Sequence, residues 1–127
     1  MDILLVSSSE SIKAQTQKVI AGTERLNILS FEDTKDKEIL PYNIIIIGFD
    51  DCRVITKEFK TILDVNCRST CPILALLENG SILDQFEVLA LGALDSLILP
   101  TTDEIYNQKL SQMYKWEWYY RWSKVNQ

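Results

Sequence analysis

The sequence predicts an α/β domain, a doubly wound five-stranded parallel sheet flanked by five helices. Three observations carry this prediction. Short apolar runs, several of them β-branched, recur along the chain. Amphipathic segments of helical length lie between them, the alternation expected of a parallel sheet with covering helices. Serine, glycine and proline fall at the junctions, where caps and turns need them.

The first strand is Ile3-Leu4-Leu5-Val6. The serines from Ser7 to Ser9 cap a helix beginning near Glu10, with Ile12, Val19 and Ile20 on one stripe and Gly22 as its stop. The second strand, Leu26 to Leu29, leads into a charged stretch from Glu32 to Glu38 that reads as a short solvated helix ending at Pro41. Ile44-Ile45-Ile46-Ile47 is β-branched and apolar on both faces, as a central parallel strand must be. A helix is expected from about Asp51 to Asn66 with Val54, Ile55, Phe59, Ile62 and Leu63 inward. The fourth strand follows Pro72 as Ile73 to Leu77 and ends in the turn Glu78-Asn79-Gly80. The fourth helix, Ile82 to Leu91, has Ile82, Leu83, Phe86, Leu89 and Ala90 at helical spacing and Gly92 as its stop. The last strand, Ser96 to Leu99, runs into Pro100, and Thr101 or Thr102 caps a final helix opening with Asp103 and Glu104.

With 127 residues, 46% of them hydrophobic, the chain has the size of one domain spanning 1–127. The final helix, from about 103 to 122, is where a longer chain would lead into a further segment. Thirteen basic against eighteen acidic residues give a net charge of -5, which repels phosphate backbones and anionic lipid and argues against nucleic acid or membrane as a direct partner. Histidine is absent, which excludes histidine-based triads and the commonest nitrogen ligand of zinc. Cys52, Cys67 and Cys71 do not form paired CxxC spacing and read as reduced thiols of a cytoplasmic protein. The N-terminal apolar run has no basic region before it, so neither a signal peptide nor a membrane span is expected.

Open α/β sheets place ligands beyond the carboxyl ends of the strands. That edge holds Ser7, Ser8 and Ser9; Gly48, Phe49, Asp50 and Asp51; Glu78 and Asn79; and Leu99-Pro100. The segment from Gly92 to Pro100, GALDSLILP, follows the pattern G-A-D-D-Y-L-x-K-P without a gap. ILLVSSSE matches ILxVDDE, YNIIIIG matches PDLxLxD, and PILALLENG matches PIxxLTAxG. On these fragments, in order and correctly spaced, nearly the whole chain resembles the receiver domain of bacterial two-component response regulators.

The resemblance implies receiver, flavodoxin-like topology and says where phosphorylation chemistry would stand. The family's metal-holding acidic pair falls on Ser7 and Ser8, and its phosphoacceptor aspartate on Gly48. Its hydroxyl residue falls on Leu77, its lysine on Leu99 and its switch aromatic on Ser96. A serine hydroxyl carries no formal charge, glycine has no side chain to attack phosphorus, and leucine cannot neutralise a phosphoryl oxygen. Input and readout are therefore lost together. The resemblance implies a pseudo-receiver: a signalling module without enzymatic activity, metal or cofactor, acting through protein contact.

Two alternatives stay open at this edge. Asp50 or Asp51 could serve as a displaced phosphoacceptor, although Asp50 lies about 6 to 7 Å beyond Gly48 along an extended strand. Ser7-Ser8-Ser9-Glu10 could cradle the phosphate of a nucleotide or flavin, although no glycine allows close backbone approach. The final helix stands apart. Tyr114, Trp116, Trp118, Tyr119, Tyr120 and Trp122 crowd its end, with Ile105, Leu110, Met113 and Tyr120 as the core stripe and Tyr114, Trp118 and Trp122 as a second row. The expectation is a protein partner or homodimer bound through the fourth helix, fifth strand and fifth helix, joining that row to Ser96.

Overall fold

The computed structural model describes residues 1–22, 24–36, 42–54 and 58–125. In chain order the elements are β1 (Asp2–Ser7), α1 (Glu10–Ile20), β2 (Arg25–Leu29), α2 (Asp33–Asp36), β3 (Ile44–Phe49), α3 (Lys60–Arg68), β4 (Ile73–Glu78), α4 (Ile82–Ala90), β5 (Asp95–Leu99) and α5 (Asp103–Val125). All strand pairs are parallel and the order is β2-β1-β3-β4-β5. The order reverses between β1 and β3, so their carboxyl ends frame the crevice.

Alternate residues of the central strands feed two cores. Leu4, Val6, Ile45, Ile47, Ala75 and Leu77 pack with Phe59, Ile62 and Val65 beside α3 and with Val88 of α4. Ile3, Leu5, Ile44, Ile46, Leu74 and Leu76 pack with Ile12 and Ile20 of α1 and with Tyr106, Leu110 and Met113 of α5. The sheet is thus sandwiched as the continuous apolar runs require, each fully buried aliphatic side chain contributing about 1.5–3 kcal/mol. Ser9 caps α1 by accepting from the Ile12 amide, and the buried face of that helix is Ile12, Thr16 and Ile20, with Val19 half-buried.

Three expectations about helices are corrected. α3 begins at Lys60 rather than near Asp51, and Val54 and Leu63 are exposed. Before it, Asp51 has a φ of 27°, which a helix does not admit. Ile55, assigned inward from the sequence, lies outside the described residues, as do Glu38 and Pro41 at the expected end of the second helix. In α4 the apolar stripe points outward: Ile82, Leu83, Phe86 and Leu89 are exposed and Val88 alone is buried. The capping box between Ser81 and Asp84 sets where this helix starts, and periodicity names a shared face without saying which way it turns.

In α5 the inward stripe is Tyr106, Leu110, Met113 and Glu117, while Ile105 is exposed. The Tyr106 hydroxyl and Thr16 Oγ1 share a buried hydrogen bond of 2.7 Å, which turns Tyr106 rather than Ile105 towards the sheet. Tyr120, expected on the core stripe, is outside the described side chains.

Candidate functional site

Parallel register sets Ser7 of β1 beside Gly48 of β3. Ser7 is fully buried; its hydroxyl donates to the Gly48 carbonyl at 3.0 Å and accepts from the Ser9 amide at 3.1 Å. This serine therefore serves as a strand-to-helix connector. At Gly48 a β-carbon would stand 2.8 Å from Ile12 Cγ2 and 3.0 Å from Ile12 Cδ1, with Ser7 Oγ at 3.1 Å. The room an acceptor side chain would need is taken by Ile12 from the first turn of α1.

The other positions tell the same story. Ser8 is exposed, Leu77 belongs to the core shared with α3 and α4, and Leu99 to the core shared with α1 and α5. Ser96 is buried. None of these side chains brings a charge to the crevice. Two of the nearby carboxylates, Glu78 and Asp51, are otherwise engaged. Glu78 Oε2 accepts from Ser9 Oγ at 3.3 Å and from Ser11 Oγ at 3.2 Å, placing an anion of the chain itself at the start of α1. Asp51 accepts from Arg53 Nε at 2.8 Å and from Asn79 Nδ2 at 3.3 Å. The Arg53 guanidinium bond, aided by Asn79, holds the Asp51 carboxyl down at about 2 against the opposing effect of desolvation. Asp50 is exposed beyond the end of β3. Among the described residues no three His, Cys, Asp or Glu side chains gather where they could hold a metal ion.

Cross-links between loops finish the edge. The Cys52 amide donates to the Glu78 carbonyl at 2.7 Å and the Asn79 amide to the Leu99 carbonyl at 2.8 Å. Burial, with Asp84 and Asp51 next in weight, pushes the Cys52 thiol up to about 12. The crevice is a tied polar rim over an apolar plug. The sequence had placed Ile12 on the α1 stripe and Glu78 at the strand edge; their meeting with Gly48 and with the serines is visible only in three dimensions.

The aromatic row divides. Asp103 accepts from Gln15 and pairs with Lys18, both on α1, and Tyr114, about three turns on, continues that flank. Tyr114 is half-buried and its hydroxyl is shifted up by desolvation and by Glu24. Trp118 and Trp122 extend the same side as an exposed stack with ring centroids 6.4 Å apart and planes at 14°. The flank towards β5 is marked instead by Lys109, paired with Asp95 at 3.0 Å, and about two turns on by Trp116. The expected joint surface of Ser96 with Tyr114, Trp118 and Trp122 is therefore corrected: Ser96 is buried, and the tryptophan stack lies on the flank of α5 away from β5. Trp116, not singled out from the sequence as a member of that surface, is the ring on the β5 side.

No protein-family model matches the chain, and no curated protein matches it either. Its similarity is to solved structures. A response regulator receiver protein from Pseudoalteromonas atlantica superposes with a TM-score of 0.75 at 14% identity, over 91% of this chain and 98% of the other. The chemotaxis protein CheY4 of Vibrio cholerae superposes with a TM-score of 0.68 at 19% identity, over 88% and 97%. A chain described as an adenylate cyclase from Rhodopirellula baltica gives 0.77 at 16% identity, over 98% and 94%. Five parallel strands in this order, with these neighbours, define a domain with the fold of response-regulator receivers. No helix of the described residues is long and apolar enough to cross a membrane.

Proposed function

We propose that this domain is a signalling module of receiver fold that works by protein contact and carries no phosphoryl group. It is a cytoplasmic pseudo-receiver, not an enzyme, and it acts either alone or as the input part of a longer chain. One observation carries the reading: Ile12 fills the space beside Gly48. Phosphoryl transfer to a receiver needs an anionic nucleophile and a metal to spread charge over the phosphoryl oxygens, and Ser7, Ser8 and Gly48 supply no anionic oxygen. The same geometry weighs against a phosphate cradle at Ser7 to Glu10, since the Glu78 carboxylate already sits on the Ser9 and Ser11 hydroxyls.

Contact with a protein partner or a second copy runs through α4, β5 and α5. Support comes from the apolar side chains exposed there, Ile82, Phe86 and Leu89 on α4 and Trp116 on α5. The test of the chemistry is titration with magnesium and beryllofluoride followed by backbone NMR. No saturable change is expected around Ser7, Gly48 and Asp50. Saturable, magnesium-dependent shifts there would overturn the reading, and their loss in Asp50→Asn would identify Asp50 as a displaced acceptor.

A further inference from the structure

Two helices of this chain present large apolar faces to water. On α4, Ile82, Leu83, Phe86 and Leu89 are 67%, 77%, 63% and 41% exposed. Of the two charged residues within that helix, Asp84 is held in the capping box with Ser81, and Glu87 is exposed beside Leu83 at helical spacing. At the end of α5, Trp116, Trp118, Tyr119 and Trp122 are each about half exposed. The described charged side chains there are Lys115 and Arg121, both basic, and Glu117. Glu117 is itself buried and paired with Arg121 at 2.7 Å. Exposed Lys115 among these rings is complementary in sign to exposed Glu87 beside the α4 row.

The geometry points to a head-to-tail contact in which the tip of α5 docks on the outer face of α4 of a second copy. This rests on the reading of the domain as a protein-contact module and names the partner. At about 150–250 Å² per aromatic side chain, the half-exposed rings leave on the order of 400 Å² in water, and the α4 row leaves a similar area. Joining them, with polar rims added, buries on the order of 1,000 Å², the size at which specific but reversible association begins. Gln112, Lys115, Trp116, Trp118 and Tyr119 line an open groove on the tip, and Phe86 is the side chain of the α4 row with the shape to enter it.

Placement sets the symmetry. Ile82, Phe86 and Leu89 lie on the side of α4 away from its buried residue Val88. The Trp118–Trp122 stack lies on the α1 flank of α5. A two-fold pairing of the β5 edges would leave that stack in water. The proposed contact joins different surfaces of the two copies and leaves one patch open at each end for further addition.

Sedimentation of the intact protein over a wide concentration range, with a mixing experiment, tests this. Wild type is expected to grow past the dimer as concentration rises. Phe86→Asp, lacking the α4 half, and Trp118→Ala with Trp122→Ala, lacking the tip half, are each expected to stay monomeric. Mixed in equal amounts they form a heterodimer and stop there, because one intact half survives on each. Leu83→Asp replaces Phe86→Asp if circular dichroism shows that the latter is unfolded. A monomeric wild type overturns the proposal, and so does a mixture that stays monomeric while wild type associates, since that outcome belongs to a two-fold contact. Neither result bears on magnesium and beryllofluoride binding, so loss of the docking model leaves the absence of phosphoryl chemistry standing, and the reverse.

Discussion

At the scale of single residues, the chemistry of the domain turns on the pair Gly48 and Ile12. A β-carbon at Gly48 meets Ile12 Cγ2 at 2.8 Å, so Gly48→Ala is expected to destabilise the fold by about 1–3 kcal/mol through overpacking, measured by urea denaturation. Gly48→Asp should cost more and still fail to bind beryllofluoride. Adding Ile12→Ala should recover part of the loss, a non-additivity that the double-mutant cycle reads directly. Asp51 gives a pH prediction of definite sign. Its folded pKa is held down at about 2 from an ordinary 3.8, chiefly by the Arg53 hydrogen bond. Whatever stability this pair contributes is complete above the ordinary value and is lost as pH falls from there through 2; carboxyl NMR should place the midpoint near 2 and Arg53→Gln should raise it. Cys52, pushed up to about 12 by burial, should resist alkylation at neutral pH, where exposed Cys67 reacts.

At the scale of elements, helix ends and one buried carboxylate hold the layers in place. Ser81 and Asp84 satisfy each other's amides across the start of α4, and Ser81→Ala is expected to cost about 1 kcal/mol, seen as a lower denaturant midpoint. The foot of α5 depends on Glu117, whose Oε1 accepts from Asn43 Nδ2 at 3.1 Å and from Arg121 Nε at 2.7 Å while Oε2 is buried without a partner. Asn43 also accepts from the Asp2 amide at 2.7 Å, so it ties α5 to the start of β1. Removing it in Asn43→Ala leaves buried polar atoms short of partners and should cost about 1–3 kcal/mol in thermal or urea unfolding.

At the scale of the whole molecule, the central strands set the stability. β1, β3 and β4 each have neighbours on both sides and cores on both faces, whereas among the described residues β2 and β5 each pair on one side only. Hydrogen exchange should therefore find the slowest amides in β1, β3 and β4, with β2 opening first. Ile46→Ala, in the middle of β3, is expected to cost about 2–5 kcal/mol, because a cavity there has rigid strands on either side and cannot collapse.

By itself the sequence determined the fold class, the order of strands and helices, and which residues close the strand ends. The runs Ile44–Ile47 and Ile73–Leu77 are short, apolar on both faces and bounded by turn residues, as buried strands are, and Ser9, Ser81, Gly22 and Gly92 mark ends by local chemistry that needs no distant partner. That Ser7, Ser8 and Gly48 put no carboxylate at the strand ends was equally legible, since it is a matter of residue type. Tertiary structure decided the rest. Whether the stripe of α4 faced the sheet, and whether Tyr106 or Ile105 turned inward on α5, depended on how each helix is rotated, which capping and a partner such as Thr16 settle. That Ile12 occupies the space beside Gly48, and that Glu78 meets Ser9 and Ser11, joins residues far apart in the chain. Strand register and the packing of α1 against the sheet bring them together, and a sequence read along its length carries no measure of that distance.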